Sequence, residues 1–243
     1  MSFAVRQFEN TVISGGAPPP PPPPSLLPFQ PTSQGFGVGA FNVTVPGASG
    51  GYNGPSSMFV EIGGPGGGGA YSPYLTRSPP GCSGSGGSGA YCSSTIALTS
   101  ANWGQTITIT VQPGPAGGDP TYSFNGRPHS GLSFAPSPLN STVTGMGLNM
   151  VAQGGWGGSF TPNVSGATPG NPTGGAGGNS SGGNTSNQSG HVGGGDTALP
   201  NLSHGGAGIS GRFISSGAGG DASHVSGGDG SPGGNGAAAV AFS

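Results

Sequence analysis

Lysine is absent from these 243 residues, and basic charge is confined to Arg6, Arg77, Arg127 and Arg212. Phosphate backbones are held by clustered Lys and Arg, so nucleic acid is excluded as a partner. An anionic membrane surface is disfavoured for the same reason. Acids are as sparse (Glu9, Glu61, Asp119, Asp196, Asp221 and Asp229), leaving a formal net charge of -2. Solubility must rest on Ser, Thr, Asn and exposed backbone. No stretch approaches the roughly 20 apolar residues that span a bilayer as a helix, so no membrane insertion is expected. The first ten residues, MSFAVRQFEN, have neither a basic n-region nor an apolar h-region, which points away from a secretory signal and toward assembly in a cytoplasm.

Cysteine is nearly missing. Cys82 and Cys92 enclose the glycine-rich segment 83–91. A disulfide between them would close a short loop and add roughly 2–3 kcal/mol; two reduced thiols are the alternative. Without neighbouring histidines the pair makes no zinc site. Helical periodicity is also missing from every window of ten residues, because Gly and Pro interrupt it.

Catalytic constellations fail in turn. Glycine-serine text around Gly81–Gly84 lacks the strand–turn–helix that raises a nucleophile. The cluster Gly63–Gly69 follows a strand but precedes no helix, so no dipole backs a phosphate cradle. Six isolated acids do not supply paired carboxylates. His191, Asp196, His204, Asp221, His224 and Asp229 show no tight ligand spacing and read as solvent-facing. The expectation is a protein that is not an enzyme, without metal or cofactor.

What is present is glycine (57) and proline (26), with eleven Phe, five Tyr and two Trp. Such Gly and Pro content exceeds the usual flag for low complexity. Disorder, however, goes with high net charge and few aromatics, so order of an unusual kind is expected. Residues 1–15 alternate loosely, with Phe3, Val5, Phe8, Val12 and Ile13 apolar, and suit a strand inserted into a partner's sheet. In 16–31, the seven prolines Pro18–Pro24 favour polyproline II at about 3.1 Å per residue, a spacer of about 22 Å.

Residues 32–153 carry the β signals. Expected strands are Phe36–Val45, Met58–Ile62, Thr95–Thr99 and Gln105–Gln112, with weaker ones at Thr121–Phe124, Leu132–Ala135 and Leu148–Gln153. In Gln105–Gln112 the Thr residues alternate with Ile107, Ile109 and Val111 before Pro113-Gly114. In 154–243 glycine recurs in threes (Gly205, Gly208, Gly211; Gly227, Gly230, Gly233, Gly236), which is the repeat of an extended three-fold helix. Ala237–Phe242 reads as a closing strand, so the glycine tract before it is expected to be compact. The expected fold is all-β with glycine-rich irregular structure: short β-strands, a polyglycine-II-like tract, and essentially no α-helix. Trp103, beside the best strand, is assigned to the core. Tyr71, Tyr74 and Trp156, on glycine-flanked loops, are candidate receptor contacts.

The order Phe41–Gly47 (FNVTVPG), Val60–Gly69 (VEIGGPGGGG), Gln105–Gly114 (QTITITVQPG), Ala152–Gly158 (AQGGWGG) and Gly236–Phe242 (GAAAVAF) resembles the glycine-rich domain of bacteriophage tail-fibre and virion surface proteins. The resemblance covers about 35–243. It implies a virion surface role, receptor binding at a fibre tip, and a tract packed as polyglycine II helices. The proline run and the first fifteen residues have no counterpart in that pattern; they are read as attachment to other virion proteins. An ice-binding or extracellular coat protein built from polyglycine II helices is the alternative.

Overall fold

A computed structural model describes residues 26–70, 82–116, 139–161, 174–194, 204–222 and 230–243. The strands are β1 (Thr32–Phe36), β2 (Gly39–Thr44), β3 (Ser57–Gly63), β4 (Cys82–Ser83), β5 (Tyr91–Ala97), β6 (Thr106–Val111), β7 (Asn140–Gly145), β8 (Leu148–Gln153), β9 (Phe160–Thr161), β10 (Ser180–Ser181), β11 (Ser186–Gln188) and β12 (Ala237–Phe242). A 3-10 turn at Ser100–Asn102 is the sole helical element among the described residues. The expected all-β class is what forms.

Alternation builds two sheets. In β6 the Ile side chains turn inward and the Thr side chains outward, and Ile107, Ile109 and Val111 are buried. Met58, Val60 and Ile62 of β3 do the same opposite them. One antiparallel sheet runs β1-β12-β3-β5-β11 and the other β10-β8-β7-β6-β2. Their inner faces share one core, completed by Val143, Met150, Ala152, Ala238 and Val240. Trp103 packs half-buried against it. The closing strand β12 lies between β1 and β3, one strand in from the edge.

Several strands differ from expectation. The stretch Phe36–Val45, expected as one strand, is broken before Gly39 (φ 141°), so that Phe36 ends β1 in one sheet and Gly39–Thr44 form β2 in the other. The short strands β4, β9, β10 and β11 were not expected. β5 begins at Tyr91 rather than Thr95, because glycine leads into it instead of ending it. β7 was not expected; it joins β8 through Met146-Gly147, both at positive φ (53° and 79°). That is the two-residue hairpin geometry usually signalled by Asn-Gly. Met146 tolerates it while packing against the core. The stretches 121–124 and 132–135 lie outside the described residues.

Beyond one end of the sandwich the strands run on as glycine-rich extended segments. β3 continues into 64–70, β6 into 112–116 and β8 into 154–159, while 84–90, 174–179 and 230–236 lead into β5, β10 and β12. Segment 190–194 follows β11, and 204–209 joins 216–222 through a Ser210–Ser215 bridge.

Segment 84–90 is the axis, and all of it is buried. Gly84, Gly87 and Ala90 donate their N–H groups to Ser159, Trp156 and Gln153. Ser85 and Ser88 donate to Gly194 and His191, and Gly86 and Gly89 to Gly220 and Gly217. Its carbonyls accept from Ala70, Gly67 and Gly64, from Gly175 and Gly178, and from Gly206. The bonding direction therefore repeats every three residues. The six neighbours are bonded to one another in a closed ring: Gly158 to Gly68, Trp156 to Ala176, Gly193 to Gly175, Gly194 to His204, Gly219 to Gly206 and Gly220 to Gly67. Segment 230–236 sits outside the ring, bonded to Gly66 and Ala218, and 112–116 beyond it.

Backbones approach this closely only where a Cβ is missing. A Cβ at Gly86 would lie 2.0 Å from the Gly67 carbonyl oxygen, and one at Gly89 2.0 Å from that of Gly64. Ser85 and Ser88 fit because their hydroxyls join the network: Ser85 Oγ donates to the Gly194 and His204 carbonyls, and Ser88 Oγ accepts from His191 N–H.

Gly89→Ala should therefore cost about 3 kcal/mol or more through overpacking and displaced backbone bonds. Gly37→Ala, where a Cβ meets nothing within 4 Å, should stay within about 0.5 kcal/mol. Thermal denaturation of both variants checks this; equal stability would mean the axis is not tightly packed.

Candidate functional site

The ends of the glycine segments fix where the chain leaves the bundle. Ala70 pairs with Gly84, β4 with β9 (Cys82↔Thr161), Gly194 with His204, and Asp221 with Ser231. These residues are the ones farthest along each segment from the sandwich. Hence the described residues from which 71–81, 162–173, 195–203 and 223–229 depart all lie at the same end. A rigid scaffold presenting several connections at one end is the usual arrangement of a binding surface. Tyr71 and Tyr74 belong to the first of them and lie outside the described residues, as do Asp196, His224 and Asp229.

Trp156 sits elsewhere. Its N–H donates to Ala176 and its carbonyl accepts from Gly87, so its backbone is locked halfway along 154–159. Its ring is 45% exposed on the flank of the bundle rather than at its end. His204 and Asp221 do lie at that end, 3.6 Å apart and exposed, with Asp221 also accepting the Gly205 N–H at 2.8 Å. Exposed pairs of this kind contribute little. Among the described residues, no group of three or more His, Cys, Asp and Glu converges.

A second cluster had no signal beyond a lone acid within the apolar run Met58–Ile62. Glu61 is fully buried on the outer face of its sheet, covered by the turn 210–215. Its carboxylate accepts from Tyr91 Oη at 2.7 Å, Arg212 N at 2.9 Å and Phe213 N at 2.6 Å. These donors make burial of the charge tolerable and pin the turn to β3. The Arg212 guanidinium lies 4.9 Å from the Phe213 ring centre and 5.7 Å from that of Phe59, and Phe213 is exposed. The outer face of the other sheet is uncharged and hydroxylic: Thr44 meets Thr106 at 3.1 Å and Thr108 donates to Asn42 at 3.0 Å, beside Thr110, Thr142 and Thr144.

The disulfide expected as one option between Cys82 and Cys92 does not form; Cys92 is a free, buried thiol whose sulfur lies 3.7 Å from the Val151 carbonyl. The reason is the straight axis between them. At roughly 3 Å per residue, ten residues of extended chain hold the two on the order of 30 Å apart, against the 7 Å limit for a bridge.

No protein-family model matches the chain, and no curated protein matches it.

Burial pushes the Cys92 thiol from 9.0 up to about 11. Burial, reinforced by the Glu61 carboxylate, pushes the Tyr91 hydroxyl from 10.0 up to about 12. In each case the folded chain keeps a proton that the unfolded chain releases, so the native state binds more protons in this window and stability falls as pH rises. The contribution is complete below about pH 9 and is lost between about 9 and 12. Denaturation midpoints across that range should decline, and Tyr91→Phe and Cys92→Ala should each flatten the decline. A flat profile in the unsubstituted chain would contradict these assignments.

Proposed function

We propose that this chain is a non-enzymatic virion structural protein, made in the host cytoplasm and carried on the particle surface as part of a tail fibre, tail tip or capsid decoration. In this reading the glycine segments are polyglycine II helices and the end of the bundle away from the sandwich faces the host. The observation that carries it is the closed ring of six segments around 84–90, with four connections leaving from one end. A three-residue cycle of bonding directions is what a three-fold extended helix requires of its neighbours. The resemblance to phage glycine-rich domains supplies the particle and the receptor role. Other virion proteins hold the chain through residues 1–15, and the host partner is a surface sugar or protein.

Recognition in this reading depends on aromatic groups and not on charge, because four arginines and six acids provide no strong steering field. Adsorption of purified protein to host cells should then change little between low and physiological salt. Trp156→Ala should weaken adsorption without unfolding; at a hot spot the loss is about 2 kcal/mol, roughly thirtyfold in affinity. Normal adsorption by a folded Trp156→Ala variant would remove this ring from the site. Strongly salt-dependent adsorption would reject aromatic recognition altogether. Hydrogen exchange tests the helices separately: amides of 84–90 should be among the slowest in the chain, and rapid exchange there would reject the packed bundle.

A second reading, an ice-binding or extracellular coat protein, draws on the uncharged Thr and Asn face of the second sheet. Thermal hysteresis in freezing buffer would favour it; its absence would leave the virion reading alone.

A further inference from the structure

The sandwich is sealed along one side and open along the other. At the sealed side β10 and β11 border each other. There Ser180 Oγ donates to the Gln188 carbonyl, and Asn187 bonds both the N–H and the carbonyl of Gly183. At the open side β1 and β2 are the last strands of their sheets, each laddered on one flank only. Between them runs a groove of about 620 Å³ lined by Phe29, Phe36, Phe41, Val43 and Phe242 among others, with no charged residue in its walls. Where the chain crosses from β1 to β2, the Phe36 and Phe41 rings lie 5.1 Å apart.

This groove is the edge of the core left uncovered. Phe41 and Val43 pair with Ile109 and Ile107 and point the same way, inward. The two Ile side chains are fully buried, whereas Phe41 and Val43 are only half-buried. An exposed apolar seam bordered by unladdered strand edges is a template for an added strand. That strand must supply apolar side chains on one face and a backbone ladder on its flank.

We propose that the groove receives residues 1–15 of a second copy of this chain as an added β-strand. The peptide carries Phe3 and Val5, two residues apart and so on one face of a strand, for the apolar seam. A partner for β2 needs only about six residues, roughly 20 Å of strand, so the segment is long enough. The described chain begins at exposed Leu26, is tied by Leu27 to Gly51 and Asn53, and passes the groove through Phe29. Between Leu26 and the peptide stand the seven prolines, whose stereochemistry favours a rod of about 22 Å. A peptide carried that far from its own groove would spend about seven extended residues merely returning. The same rod delivers it directly to a neighbour. The proposal rests on reading residues 1–15 as an inserted strand, makes a second copy rather than another virion protein the partner of that peptide, and is otherwise independent of the virion role.

Analytical ultracentrifugation of the full chain should give a multiple of 23.0 kDa. The double substitution Phe3→Asp, Val5→Asp, at positions outside the described residues, should reduce the protein to a single chain. In the variant the amides of Ala40–Thr44 should exchange about tenfold or more faster, while those of 84–90 keep their rates, which shows that the fold is intact. A monomeric unsubstituted chain overturns the proposal, and so does an oligomer that survives the double substitution. A monomer with slowly exchanging Ala40–Thr44 overturns it in favour of the chain's own peptide. A monomer that still enters particles through residues 1–15 overturns exchange between copies while leaving attachment to another protein standing.

Discussion

Everything in this molecule depends on the backbone groups of 84–90 finding partners in six directions. A buried N–H or carbonyl without a partner costs about 1–3 kcal/mol, and this segment is buried along its whole length. A sheet would satisfy those groups with two neighbours; here successive residues point to different ones. That arrangement exists only if backbones can approach to a distance no Cβ allows, which sets glycine at Gly86 and Gly89. Glycine loses more conformational freedom on folding than any other residue, and the bundle buries few large apolar side chains in return.

The sandwich supplies what the bundle lacks. Its core of Met, Ile and Val side chains provides the hydrophobic stabilisation. Because its strands run straight into the glycine segments, it also sets their spacing and direction. Segment 64–70 enters already antiparallel to 84–90, since β3 and β5 are paired in that sense. Segments 204–209 and 216–222 continue no strand of either sheet. Glu61 does the corresponding work for them, holding the turn 210–215 through two backbone N–H groups.

Such a scaffold separates stability from presentation. Stability resides in backbone bonds and a small apolar core, neither of which depends on surface charge or on the connections at the far end. Those connections can then differ without disturbing the bundle, as is usual for binding loops on a rigid frame. Among the described residues, the seam between β1 and β2 leaves core side chains such as Phe41 and Val43 only half-buried.

The alternation of Ile107, Ile109 and Val111, the run Met58–Ile62 and the closing strand Ala237–Phe242 were legible in the sequence, because side chains facing a core leave a period-two trace. Glycine in threes was legible too, but only after residue 154. Segment 64–70 read as glycine following a strand and 84–90 as a short loop between two cysteines, since a glycine in a loop and a packed one are chemically identical. β7 was hidden because Met146 is no turn former; packing against the core holds it at positive φ. Of the candidate site residues, Trp156 is exposed, and its place on the flank of the bundle could not be read. The burial of Glu61 under 210–215 joins residues 151 positions apart and had no local signature. The sequence alone determined the class of fold, the near absence of charge and the places where backbones could approach. Only tertiary structure decided which segment became the axis, because a backbone hydrogen bond carries no side-chain identity by which its partner can be known in advance.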